Sequence, residues 1–124
     1  MPLDDFGQLK TLKHKLTQIN TDIRKQHSYL QRLDTEVQER REHALTLRSE
    51  VNHLKENPNV RSNPNIRERY IKSRGELQEA KEAYLEIKEK YDSEHSTLVR
   101  LKDQSVALQD RIKELTLRGA GMQE

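Results

Sequence analysis

Asn57-Pro58-Asn59-Val60-Arg61-Ser62-Asn63-Pro64-Asn65 decides how this chain folds, because it carries two of the three prolines. Proline lacks a backbone N–H and its ring clashes with the preceding turn. Two of them this close together therefore end one helix and begin another. Pro58 stops the first helix near Glu56. Asn63 is placed to cap the second, with Pro64 at the first helical position, where the missing donor costs nothing. Both flanks read as long helix. A kinked rod and a full reversal each fit such a break, and the two arms favour the reversal.

The first arm is regular from Leu9 onward. Leu9, Leu16, Ile23, Leu30, Val37, Ala44 and Val51 occupy position a of a seven-residue repeat. Leu12, Ile19, Gln26, Leu33, Arg40, Leu47 and Leu54 occupy position d. Steps of three and four alternate without a stutter, the pattern of a left-handed coiled coil. Gln26 and Arg40 interrupt the apolar seam, and a buried polar group needs a partner. Before Leu9 the chain is a lead-in, with Pro2 suited to the first turn and Asp4 and Asp5 favourable near the positive helix end. Leu3 and Phe6 either cover the open end of a bundle or lie on its surface.

The second arm repeats the pattern. Position a holds Tyr70, Leu77, Tyr84, Tyr91, Leu98, Ser105 and Ile112. Position d holds Ile66, Ser73, Ala80, Ile87, Glu94, Leu101, Leu108 and Leu115. Val99, Val106 and Leu117 lie off the seam, where they can contact another chain. Gly75 faces outward and weakens the helix by about 1 kcal/mol. Gly119 reads as a helix stop, with Gly121 supporting a loose tail. The expected organisation is one domain over residues 1–124: a helix over 5–56, an Asn/Pro loop over 57–64, a helix over 65–118 and a frayed tail over 119–124. Each helix would run roughly 75 Å.

Folding the arms at the loop sets Leu54 against Ile66. The d layers are then Leu47 with Ser73, Arg40 with Ala80, Leu33 with Ile87, Gln26 with Glu94, Ile19 with Leu101 and Leu12 with Leu108. The two polar intruders Gln26 and Glu94 share a layer and can hydrogen-bond. Arg40 faces Ala80, the smallest seam residue of its arm, and can reach water along its aliphatic stem. Gln26, Arg40, Ala80 and Glu94 are the expected register-setting residues. A parallel dimer would instead stack Tyr70, Tyr84 and Tyr91 on their own copies in a narrow seam. The fold class expected is therefore all-α, a long antiparallel two-helix coiled-coil hairpin. A long helix pair leaves apolar area exposed, so two hairpins can further pack as a four-helix assembly.

Of the 124 residues, 35% are charged, 31% apolar and 4% aromatic. Such a chain fills a narrow seam rather than a wide core. Low hydrophobicity also marks disorder, but strict periodicity argues against it here. The 23 basic and 21 acidic residues leave a formal net charge of +2, so any electrostatic argument rests on distribution. Along the edge made by the e positions, Arg41, Arg48 and Lys55 face Lys81, Arg74 and Arg67. Lys88 extends the row opposite Asp34, and Arg61 stands in the loop. Like charges facing across a helix pair are mildly destabilising. The g edge is balanced, with Glu50 facing Arg69 and His43 facing Glu76. A solvated face of a charged rod explains the basic row as well as a binding site does. The functional alternative is a contact surface of Arg41, Arg48, Lys55, Arg61, Arg67, Arg74 and Lys81 for an acidic partner.

No sequence motif points to catalysis. The five histidines lack a ligand spacing such as H-E-x-x-H. His27 and His95 face each other on the e edge, a pairing that is more often incidental than metal-binding. Glycine-rich phosphate loops and nucleophile elbows are absent. The chain has no cysteine, which excludes disulfides and cysteine-ligated zinc. Met1-Pro-Leu-Asp-Asp does not open a secretory signal, no apolar stretch is long enough to span a membrane, and no Asn-x-Ser/Thr acceptor occurs. The expectation is an intracellular, cytoplasmic or cytoskeletal protein with no catalytic site, cofactor or metal. It is expected to be an interaction module that serves as spacer, scaffold or oligomerisation arm. Its partners would be other helical proteins, acidic ones included, in a homodimer or hetero-complex. The second reading is binding of nucleic acid or an anionic membrane surface by the basic edge.

Overall fold

The computed structural model describes residues 3–121. Pro2 and residues 122–124 of the expected tail lie outside the described residues, as do the side chains of Leu3 and Asp4. The chain forms two helices, α1 (Leu3–Glu56) and α2 (Pro64–Gly121). Neither is long and apolar enough to cross a membrane. The α2 helix passes the stop expected at Gly119 and ends two residues later. Glycine permits a left-handed cap but does not compel one, and no described glycine has positive φ. Leu115, one turn before Gly119, is fully buried, and Gly119 is itself buried. Packing thus holds the last turns in helical form.

The chain divides into two compact units. Residues 31–93 form unit 2, a helical hairpin that contains the loop. Its buried side chains are Leu33, Val37, Leu47, Val51 and Leu54 from α1 with Ser73, Leu77, Ala80 and Ile87 from α2. Every one is a seam position of the seven-residue repeat. Leu47, Val51, Leu77 and Ala80 form one cluster, with Ala44 and Tyr70 packed against it. The direction is antiparallel: Glu36 and Arg40 share a groove with Ala83 to Lys90, whereas Val51 shares one with Ile71 to Lys81.

Residues 3–30 and 94–121 form unit 1. Here Gln26 bonds to Glu94 and Asn20 to Ser105, so numbers rise on α1 as they fall on α2. Leu30, Leu98, Ser105 and Leu115 are buried. The remaining seam residues Leu9, Leu12, Leu16, Ile19, Ile23, Leu101, Leu108 and Ile112 are half-buried. Two helices cover only one stripe of each other, which leaves the flanks of the seam wet.

The loop uses asparagine as well as proline. Asn57 Oδ1 accepts from the Asn59 N–H at 2.9 Å, an Asx turn that reverses the chain just past α1. The N–H groups of Val60, Ser62 and Asn63 then bond back to Asn57 and Asn59 carbonyls. Asn63 caps α2 as expected: its Oδ1 accepts from Asn65 at 3.0 Å and from Ile66 at 3.4 Å. Its own carbonyl accepts the first helical bond, from Arg67 at 3.0 Å. Pro64 opens the helix where no donor is required. The reversal uses no residue with positive φ.

Candidate functional site

The seam places the e positions at the side of unit 2, and all seven cations named from the sequence are exposed there or in the loop. The structure divides them. Arg41, Arg48 and Lys81 line a groove of about 210 Å³ whose apolar part is Ala44, Leu45, Leu77 and Tyr84. Lys81 and Arg74 line an adjoining groove of about 420 Å³ with Val51, Ile71, Gly75, Leu77 and Gln78. Lys55, Arg61 and Arg67 line neither groove. Arg67 instead turns to the loop and donates through Nη1 to the Arg61 carbonyl at 3.4 Å. The Arg74 guanidinium stands 5.6 Å from the Tyr70 ring centroid, a cation–π contact.

Among the described residues, Arg41, Arg48 and Lys81 take part in no ion pair. Their charges stand beside apolar side chains without local neutralisation. Leu45 and Ile71 are 49% and 62% exposed at the same grooves, and the sequence reading overlooked both. The signal was available. Ile71, Leu85, Val99 and Val106 recur at multiples of seven, each one residue after a seam position, and Leu45 holds the same place after Ala44.

Several expected pairs rearrange. Lys88 does not reach Asp34; it bonds to Asp92 one turn along its own helix at 3.0 Å and lies 5.3 Å from the Tyr91 centroid. The Asp92 hydrogen bond raises the Lys88 pKa above its ordinary value, although partial desolvation opposes the rise. On the g edge Glu50 meets Arg69 at 3.8 Å as expected, whereas His43 forms no ion pair with Glu76. Arg40 reaches solvent, as expected, and there pairs with Glu36 at 3.1 Å on its own helix. Ala80, its expected neighbour, belongs to the cluster with Leu47, Val51 and Leu77.

Gln26 and Glu94 do meet. The Gln26 amide donates to the Glu94 carbonyl and to its carboxylate Oε2, both at 2.8 Å. The buried serines also have partners: Ser73 donates to Glu50 at 3.3 Å and Ser105 to Asn20 at 3.0 Å. No described buried side-chain polar atom lacks a hydrogen bond. His27 and His95 are exposed, and among the described residues no three His, Asp or Glu side chains are grouped to hold a metal ion. Among known proteins, no family model, curated sequence or solved structure matches the chain.

Proposed function

We propose that this chain is a non-enzymatic coiled-coil interaction module, serving as spacer, scaffold or oligomerisation arm in a larger complex. Its contact surface is the basic edge, and its partners are helical proteins with an acidic face. One observation carries the reading: Arg41, Arg48 and Lys81 stand unpaired beside an exposed apolar groove. Apolar area supplies affinity on burial, while uncompensated charge selects an oppositely charged partner and speeds its approach. A purely solvated face has no use for Leu45 and Ile71 between its cations.

The test is charge reversal. Arg48, Arg67 and Arg74 are all exposed, so changing them to glutamate should leave the far-UV circular dichroism spectrum unchanged. It should abolish capture of protein partners in a pull-down with mass-spectrometric readout. A partner set that survives reversal rules out the basic edge as the contact. The same cations also suit a phosphate-bearing surface. In that event random duplex or anionic vesicles bind the wild type, and binding falls steeply with salt as counterions are released.

A further inference from the structure

The groove of unit 2 has a counterpart in this same chain. On α2, Val99, Val106 and Leu117 are 46%, 55% and 62% exposed and belong to no seam. Asp103 and Asp110, one turn either side of Val106, are exposed as well. Neither is in an ion pair among the described residues. The order along the helix is carboxylate, apolar, carboxylate, in steps of three and four. The α1 wall of the groove reads cation, apolar, cation, from Arg41 through Leu45 to Arg48, in steps of four and three. Both sets cover one seven-residue repeat, about 10.5 Å of helix. Laid antiparallel, their steps coincide: Arg41 meets Asp110, Leu45 meets Val106 and Arg48 meets Asp103.

We propose that the occupant of the groove is a second copy of this chain, docked through the Asp103–Val106–Asp110 stripe of its α2. This rests on the reading of the basic edge as a protein contact and names the partner. Leu45 and Val106 bury one another, and the two charge pairs set position along the helix. Lys81, on the α2 side of the groove, adds a third positive charge beside the incoming carboxylates. Docking also relieves repulsion among cations that unit 2 holds together. The two surfaces differ, so each copy gives its groove to one neighbour and offers its stripe to another or to the same one.

Sedimentation of the full chain tests this with two variants, Arg41→Glu with Arg48→Glu, and Asp103→Lys with Asp110→Lys. The wild type should self-associate, and less strongly as salt rises. Either double variant should weaken association by about tenfold or more, since two attractive pairs become repulsive. An equimolar mixture of the two should associate again, because each now meets a neighbour of the opposite charge. A monomeric wild type, undiminished association of either variant, or a mixture that stays apart overturns the proposal. The partner pull-down reports on the edge separately. A monomeric wild type whose partner capture is lost on charge reversal strikes only the second copy; capture that survives charge reversal strikes the edge as a contact altogether.

Discussion

Gln26 is the residue at which seam chemistry departs furthest from an apolar repeat. Its amide carries two hydrogens, and both are spent on Glu94, one on the backbone carbonyl and one on the carboxylate. The carboxylate is half-buried, so some hydration is lost and the amide replaces part of it. An apolar pair removes that desolvation altogether, so changing both residues to leucine should raise stability by about 1 kcal/mol or more in thermal melts. The same change removes the polar layer expected to set the register, and light scattering should then detect other pairings or oligomers. Lower stability with an unchanged oligomeric state would falsify the register-setting role. The polar layer was legible in the sequence because both intruders fall at seam positions. The serine bonds were not. Ser73 was expected opposite Leu47, and Ser105 had no named polar partner, yet they bond to Glu50 and Asn20 at flanking positions. Side-chain reach across a layer decides such pairs, and a repeat pattern carries no information on reach.

At the scale of the element, the loop and the helix interiors make opposite demands on the backbone. Asn63 satisfies two otherwise orphaned donors at the start of α2, so Asn63→Ala should cost about 1 kcal/mol. Gly75 is helical and exposed, and a Cβ added there meets nothing within 4 Å. Gly75→Ala should therefore gain about 1 kcal/mol. Urea unfolding checks both, with the midpoints moving in opposite directions and the slopes unchanged. Equal signs would show that the cap or the open site is misjudged. Asn63 and Pro64 announce the beginning of α2 because capping is local chemistry. The end of α2 is less legible. Gly119 reads as a stop by its own propensity, but burial at Leu115 and Gly119 outweighs that propensity.

For the molecule as a whole, antiparallel pairing within each unit is the feature open to direct measurement. Thr17 and Lys102, both exposed in unit 1, should carry spin labels roughly 20 Å apart within one chain, a helix-pair spacing plus the label arms. An intrachain separation several times larger would be incompatible with the paired helices. What the sequence by itself determined is the existence of two helices, their break and the residues between them. Seven-residue periodicity, proline and an asparagine cap act through neighbours in the chain, so reading along it suffices. Every buried residue of unit 2 was nameable on that basis. What only the tertiary structure decided is which charges stay unpaired and which apolar side chains stand beside them. Lys88 chose Asp92 over Asp34, and Arg40 chose Glu36, because a partner one turn away on the same helix costs less ordering than one across the seam. Arg41, Arg48 and Lys81 have no acidic neighbour at that spacing. They converge with Leu45 and Tyr84 only when two distant stretches of chain are brought side by side.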